Sequence, residues 1–349
     1  MGIITNKDGL PQIIVDALKH DTYKVGGDIS VTGLIDAPQI RVLKKKHHFE
    51  LETDVTEMVF ALFGTAVHHI LERAHINDYR KQAFITVIKT IEDEIKKSSG
   101  VTYRDDNLEL KNLAKQLIRL VPTFFPEVES RYVWEVTLTY TYKEKTLYGT
   151  FDLYDKVDKI LFDYKVCSVW AYLYPESRKK WNAQTNTYAF MLRETNPEYE
   201  VKEIYIVAIF RDWSASKVDF AKGDYPTKQI LTIPIDVVDH ERMRRYVESR
   251  MALHIEAENG DIPECTGSER WARSSEYAVV LNGRKKALRK FDKKEDANEF
   301  MIKNKHLHEK ELKVFERPGE SKRCESYCAV RDFCPQKKLM DQEENKDSV

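Results

Sequence analysis

The stretch GTFDLYDKVDKILFDYK, residues 149–165, is the most informative part of this sequence. Apolar and β-branched residues on either side of a turn at Asp158 predict two adjacent strands, at about 147–157 and 159–166. Each strand carries one carboxylate, Asp152 on the first and Asp163 on the second. Lys165 follows Asp163 by two residues, so both side chains should lie on the same face of their strand.

Two carboxylates beside a lysine form a set that phosphodiester hydrolysis can use. Carboxylate oxygens are the ligands that Mg²⁺ prefers, and a bound metal can polarise a phosphate and help to generate hydroxide from water. The lysine can orient that water or stabilise developing charge. The D-x-K pattern is short, however, and by itself more often marks an ion-pair ladder on a surface, so the interpretation depends on the rest of the chain.

A predicted helix upstream supplies a histidine. Residues 56–75 place apolar side chains at three- and four-residue steps, as an amphipathic helix does. Gly64, four residues before His68, is expected to let another backbone pass close to the helix. His68 can then offer a ring nitrogen to the same metal, whereas the adjacent His69 points about 100° away. A single helical histidine is more often structural, so this motif counts only together with the strands.

A second predicted helix, at residues 182–193, follows the D-x-K strand. Gln184 and Tyr188 are four residues apart on it and therefore share one face. By itself this pair carries almost no information.

The four patterns together are informative because they occur in a fixed order. G-x-x-x-H at 64–68, G-x-x-D at 149–152, D-x-K at 163–165 and Q-x-x-x-Y at 184–188 resemble the RecB-like branch of the PD-(D/E)XK nuclease superfamily. That branch includes the nuclease domains of RecB and AddB, CRISPR-associated RecB-like exonucleases and many phage exonucleases. The resemblance covers roughly residues 29–255, and the segment from Ile29 to His48 also looks like the N-terminal segment of the family.

The resemblance implies both a fold and a set of site residues. The fold is α+β, with a restriction-endonuclease-like mixed central sheet flanked by helices. Lys165 would be the catalytic lysine, and Gln184 and Tyr188 would steady the lysine, the substrate or the local backbone. The ligands of Mg²⁺ or Mn²⁺ would be His68, Asp152, Asp163 and the backbone carbonyl of Val166.

Changes in residue pattern and predicted secondary structure along the chain indicate a domain organisation. We expect an N-terminal extension at 1–28 and a nuclease-like core at 29–260, with a helical lobe at about 55–130. A β-β-α-β unit would be inserted at 261–318, with its hairpin turn at Asn282-Gly283. Residues 319–349 would form a cysteine-bearing segment that ends in a polar tail.

The five cysteines include a compact trio, Cys324-x3-Cys328-x5-Cys334, for which Cys265 is the natural fourth partner. Four thiolates suit Zn²⁺ or a [4Fe-4S] cluster, and the spacing does not choose between them. The resemblance favours iron–sulfur, although the family's trio is usually C-x2-C-x5-C and its first cysteine precedes the histidine motif. Cys167 is interpreted as a small buried residue.

The overall charge gives no sign of nucleic-acid binding. Lys and Arg number 56 against 57 Asp and Glu, which leaves a formal net charge of −1. The negative charge of an acidic metal pocket can cancel basic surfaces elsewhere in the net charge, so the net charge is weak evidence against nucleic-acid binding. The candidate DNA-binding residues are Arg178, Lys179, Lys180, Arg284, Lys285 and Lys286.

The same sequence predicts a cytoplasmic location. No apolar run is long enough to span a bilayer, and the N-terminal residues lack the apolar region of a signal peptide. In a reducing compartment the cysteines would bind metal or be buried as free thiols.

These observations lead to one functional expectation with two alternatives. The resemblance implies a metal-dependent DNA exonuclease acting on DNA ends or single strands, in recombination, repair or phage DNA metabolism, with a recombination or replication protein as its partner. The alternatives are a non-catalytic nucleic-acid-binding or assembly subunit that retains the fold, and a zinc-stapled interaction module. Four aromatic residues after the D-x-K strand could stack on bases or pack in the core: Trp170, Tyr172, Tyr174 and Trp181.

Overall fold

The computed structural model describes residues 2–19, 26–76, 85, 89, 130–218, 224–282, 286–307, 311–317 and 319–347. The chain divides into two compact units. The larger unit comprises residues 4–35 and 53–251, and the smaller comprises residues 1–3, 36–52 and 252–349.

The larger unit is built on a six-stranded mixed sheet. Its strands are β2 (Ile29–Ser30), β4 (Tyr132–Tyr142), β5 (Lys145–Asp155), β6 (Ile160–Cys167), β7 (Glu203–Phe210) and β8 (Ile230–Ile235), and the order is β2-β5-β6-β7-β8 with β4 paired to β5. Strands β2 and β6 run parallel to β5 and β7 respectively, and the other pairs are antiparallel.

The helices of the larger unit are α1 (Gln12–Lys19), α2 (Val31–Ile35), α4 at residues 59–76, α5 (Val169–Leu173), α6 (Pro175–Thr195), the short α7 (Ala215–Val218) and α8 (His240–Glu258). The unit boundary falls within α8, after Met251. Helix α6 begins seven residues before the predicted start at residue 182. Pro175 lies at its first positions, where a proline suits a helix, and the polar turns that follow have no apolar periodicity to reveal them.

The β4–β5 hairpin fixes the register of the strand that carries Asp152. Its two turn residues, Lys143 and Glu144, have positive φ values of 45° and 64°, as the tight turns that suit twisted hairpins require. Tyr142 pairs with Lys145, and the pairing continues to Tyr132 opposite Asp155.

The main core lies between this sheet and helices α2, α6 and α8. Buried side chains from all of them meet in one cluster, which includes Leu34, Phe151, Leu161, Met191 and Met251. The connection from β6 to the parallel strand β7 runs through α5 and α6. Because a parallel pair needs such a crossover, α6 lies across the sheet and carries Gln184 and Tyr188 with it.

The smaller unit contains α3 (Pro38–Lys46) and the predicted β-β-α-β order. That order is realised as β9 (Glu276–Leu281), β10 (Ala287–Phe291), α9 (Lys294–Asn304) and β11 (Leu312–Arg317), followed by α10 (Lys322–Ser326) and α11 (Pro335–Asp347). The strands form an antiparallel sheet in the order β10-β9-β11. Two short strands, β1 (Ile3–Thr5) and β3 (Glu52–Asp54), span the chain positions at which the assignment to units changes.

The predicted fold class is confirmed: the chain is α+β, with a mixed central sheet flanked by helices. Helix α4 matches the predicted helix at 56–75 and starts three residues later, after a 3₁₀ turn at Val55–Met58. The rest of the helical lobe expected at about 55–130 lies almost entirely outside the described residues.

Candidate active site

Asp152 lies where strands β5 and β6 separate. The two strands pair only from Leu153 opposite Phe162 to Asp155 opposite Ile160. Just past the last pair, the Asp152 carboxylate accepts a hydrogen bond from the backbone N–H of Tyr164. A side chain therefore bridges the two strands at the point where their backbone ladder stops.

His68 reaches the same point from helix α4. Its Nδ1 atom lies 3.4 Å from Asp152 Oδ1, and its Nε2 atom lies 3.3 Å from the carbonyl oxygen of Tyr164. The ring thus contacts both strands that carry the predicted carboxylates. His69 pairs with Glu72, and both of them line the same cavity as His68.

Glu135 on β4 is a site residue that the motifs did not reveal. Its Oε1 atom lies 3.6 Å from His68 Nδ1, and one ligand atom from each of His68, Glu135 and Asp152 lies within 4.8 Å of the others. The residue has a φ of 49° in the middle of a strand, and the ladder skips it and Asp152 between the pairs Trp134–Leu153 and Val136–Phe151. The available signal was weak: Glu135 is the single acidic residue in the strand YVWEVTLTYTY.

Asp163 and Lys165 lie together, as the D-x-K spacing predicts. Lys165 Nζ is 2.7 Å from Asp163 Oδ2. Asp163 is only 3% exposed, so its ion pair with Lys165 is largely shielded from water. A carboxylate is buried at low cost only beside a positive charge, here the lysine, and a bound metal ion could supply the same compensation.

The charges in this cluster shift each other's protonation. Burial, and then the nearby Asp163 carboxylate, raise the pKa of Asp152 to about 7. The hydrogen bond with Glu135 raises the pKa of His68 despite burial. Burial disfavours the charged form of Lys165, but the carboxylates of Asp163 and Asp152 outweigh it and raise its pKa. The cluster therefore holds protons tightly where a cation could replace them.

These groups line one cavity of about 450 Å³. Gln184 and Tyr188 line it from α6, and the Gln184 amide lies 3.4 Å from the Tyr188 hydroxyl. Val166 lines it from the end of β6. The structure thus brings together all the predicted catalytic and metal-binding residues of the larger unit.

The two motif glycines play different roles. A Cβ atom on Gly149 would lie 2.7 Å from Tyr188 Cε1 and 2.8 Å from Val31 Cγ2, so the G-x-x-D glycine makes room for the Tyr188 ring. Apart from its own stretch of helix, no described atom lies within 4 Å of the position a Gly64 Cβ would take, so the backbone expected to pass close to it is not among the described residues. Gly64 lines the cavity.

The candidate DNA-binding residues fall in different places. Arg178 and Lys179 are exposed on α6; Arg178 lies over the Tyr172 ring, and Lys179 pairs with Glu176. Lys180 on the same helix is half-buried. Lys286 is exposed in the smaller unit, and Arg284 and Lys285 lie outside the described residues.

The four cysteines of the predicted second site lie together in the smaller unit. The buried thiols of Cys265 and Cys334 lie 3.2 and 3.6 Å from the same oxygen, Gln39 Oε1. Cys328 packs against the apolar cluster that contains Cys265 and Cys334. Burial and the nearby thiols of Cys328 and Cys334 raise the pKa of Cys324.

Among the described residues, no helix is long and apolar enough to cross a membrane. No curated protein sequence matches this chain.

Solved structures give distant matches. The crystal structure of SSO0001 is 13% identical, with 69% of this chain and 85% of that chain covered and a TM-score of 0.36. A phage-related exonuclease from Haemophilus somnus 129PT is also 13% identical, with 46% of this chain and 75% of that chain covered and a TM-score of 0.22. At these scores neither match bears on the assignment.

The family comparison covers most of the chain. The model of the PD-(D/E)XK nuclease superfamily matches residues 43–335, a range that contains the whole D-x-K cluster and both neighbouring motifs. The chain belongs to the PD-(D/E)XK nuclease superfamily.

Proposed function

We propose that this protein is a Mg²⁺- or Mn²⁺-dependent deoxyribonuclease that hydrolyses phosphodiester bonds at DNA ends or in single strands. The observation that carries the proposal is the convergence of His68, Asp152, Asp163 and Lys165 on one cavity. Membership of a nuclease superfamily supports the same chemistry. The exonuclease mode and a role in recombination, repair or phage DNA metabolism are part of the proposal.

The donor set suits a divalent cation. His68, Asp152 and Asp163 supply one nitrogen and two carboxylates, and the backbone carbonyl of Val166 would complete the set. We add Glu135, whose carboxylate lies in the same group as His68 and Asp152. When bound, the metal would polarise the scissile phosphate and lower the pKa of a water molecule.

Lys165 is placed to act on the attacking water or on the phosphate. Its charge is maintained by two carboxylates, and the ion pair with Asp163 fixes the position of the ammonium group. A positioned cation in a buried site stabilises the negative charge that develops on phosphate oxygens. Gln184 and Tyr188 line the same cavity and would hold the substrate or the lysine in place.

The test is nuclease activity on linear single- and double-stranded DNA with Mg²⁺ or Mn²⁺. We expect Asp163→Ala and Lys165→Ala to lower the rate by about 100-fold or more. Lys217→Met, on an exposed helix of the same unit, serves as the control and should keep full activity. Cleavage that survives both site substitutions would overturn the proposal. Binding of DNA without cleavage by the wild type would favour the non-catalytic alternative.

We also propose that Cys265, Cys324, Cys328 and Cys334 hold a [4Fe-4S] cluster with a structural role, with Zn²⁺ as the alternative. The shared contact of Cys265 and Cys334 with Gln39 supports a common site. The family resemblance, in which a C-terminal cysteine trio with a distant fourth cysteine holds iron–sulfur, favours the [4Fe-4S] cluster over zinc.

Metal analysis and absorbance of the purified protein separate these two possibilities. A [4Fe-4S] cluster should give iron, sulfide and absorbance near ~400 nm, all lost in Cys324→Ser and kept in the control Cys167→Ser. Zinc without iron would show that the four cysteines hold zinc and no [4Fe-4S] cluster. A metal-free protein that folds normally would rule out both.

A further inference from the structure

Large aromatic side chains lie exposed at the carboxyl ends of β6 and β7. Trp170 on α5 is 62% exposed, and its ring lies nearly parallel to that of Tyr174, with 6.1 Å between ring centroids and 19° between planes. Phe60 on α4 is 54% exposed. The guanidinium carbon of Arg211 lies 4.0 Å from the centroid of the Phe60 ring.

Two backbone contacts join these groups into one surface. The N–H of Arg211 donates to the carbonyl of Cys167, and the N–H of Val169 donates to the carboxylate of Asp212. The segment that leads into Trp170 therefore lies directly beside the segment that carries Arg211.

The same surface adjoins the cavity. Phe60 lies one helical turn before Gly64, which lines the cavity, and Trp170 follows the lining residue Val166 by four positions. A chain that enters the cavity from the carboxyl ends of β6 and β7 would pass over these rings.

The four aromatic residues that follow the D-x-K strand differ in how far their rings are buried. Trp181 is buried in a core cluster, and Tyr172 packs edge-on against Phe210. Trp170 and Tyr174 remain as the pair that offers ring faces outside the core.

We propose that Trp170, Tyr174 and the Phe60–Arg211 pair form a base-stacking surface that holds unpaired nucleotides of a DNA strand next to the cavity. This inference rests on the proposed nuclease function and adds the residues that select unpaired over paired DNA. Every base has a flat face that can stack on an aromatic ring, and this face is occupied in a duplex.

The charges beside the rings fit a nucleic-acid strand better than an apolar protein partner. Arg211 places a cation on the Phe60 ring, and exposed Arg178 lies over Tyr172, six residues before it in sequence. Stacked rings flanked by guanidinium groups can contact bases and phosphates together.

The experiment measures binding of fluorescently labelled DNA in EDTA, which prevents cleavage. The probes are a single-stranded oligonucleotide and a blunt duplex of the same sequence. We expect Trp170→Ala and Phe60→Ala each to weaken binding of the single strand by about 5- to 100-fold, with a change of less than twofold for the blunt duplex. Trp170→Phe keeps a ring and should retain most of the affinity.

Phe315→Ala is the matched control, because Phe315 is a 51%-exposed phenylalanine in the smaller unit. It should leave both affinities unchanged. Thermal unfolding of each variant shows whether its fold is intact, and Trp170→Phe keeps the test valid if Trp170→Ala does not fold.

Three outcomes would overturn the inference. The first is a single-strand affinity that is unchanged in Trp170→Ala and Phe60→Ala, and the second is an equal loss of affinity for both probes. The third is a dimeric wild type whose Trp170→Ala variant is a monomer. The last outcome would assign the surface to a second copy of the chain. Failure of the nuclease proposal is distinguishable from these outcomes. It would appear as a wild type that cuts no DNA, whatever the DNA affinities of the Trp170 variants.

Discussion

The ring of Tyr188 fills the space in which a side chain at Gly149 would begin. A Cβ atom there would lie 2.7 Å from Tyr188 Cε1, closer than real side chains approach. Gly149 and Tyr188 lie 39 residues apart in sequence, so the motifs G-x-x-D and Q-x-x-x-Y that contain them are one packing arrangement. The glycine of one motif is explained by the tyrosine of the other.

Gly149→Ala should consequently reduce both stability and activity. The added methyl group forces Tyr188 and Val31 to move, at a cost of about 1–3 kcal/mol. Urea denaturation measures the loss. Gly267→Ala, where a Cβ would meet only Ala272 at 3.7 Å, is the control and should change stability far less. Equal effects of the two substitutions would contradict the packing argument.

Gly64→Ala should stabilise the protein by about 0.5–1 kcal/mol. A glycine inside a helix is less favourable than alanine, and no described atom occupies the added space. Thermal unfolding tests the stability, and activity assays test whether the methyl group narrows the cavity. A clear loss of stability would restore the idea that another segment passes close to Gly64.

Mn²⁺ binding should strengthen as pH rises. Burial and Asp163 raise the pKa of Asp152 to about 7, so below that pH a cation must displace its proton, and the raised pKa of His68 adds a second proton to displace. The affinity should change about tenfold per pH unit for each proton displaced. Isothermal titration between pH 5.5 and 8.5 measures it, and Asp152→Asn should lose the contribution of one proton below pH 7. A flat profile in the wild type would show that neither group holds a proton in this range.

The metal-free protein should show the opposite trend in stability. The folded-state pKa of Asp152 lies above its ordinary value of 3.8, so the folded protein holds the proton more tightly than the unfolded chain. The contribution of this group is fully present below about pH 4 and is lost as pH rises to about 7. Urea denaturation of the chelated protein across that range checks the sign against Asp152→Asn.

Glu135→Gln should lower the pKa of His68 in the metal-free protein. The carboxylate of Glu135 is the largest contributor to the raised pKa of the imidazole, and an amide cannot stabilise the positive ring equally. An NMR titration of His68 measures this shift. Glu144→Gln, in the exposed β4–β5 turn, is the control. An unchanged His68 pKa would mean that Glu135 does not contact the ring in solution.

The sequence by itself determined the fold class and most of the candidate site. Alternation in β4, β5 and β6 marked the strands, and the i, i+2 spacing of Asp163 and Lys165 placed them on one face. The four-residue spacing of Gln184 and Tyr188 likewise placed them on one face of a helix. These are local periodicities, and the order of four weak motifs supplied the rest.

Tertiary structure decided what local patterns do not encode. Glu135 joins His68 and Asp152 because β4 pairs with β5 and the backbone turns to a positive φ at Glu135, where the ladder skips Glu135 and Asp152. Neither feature has a reliable sequence signal. Gly64 and Gly149 look alike in sequence, yet only Gly149 faces a ring. Periodicity fixes the direction of a side chain within its own element, whereas its neighbours depend on how distant elements pack.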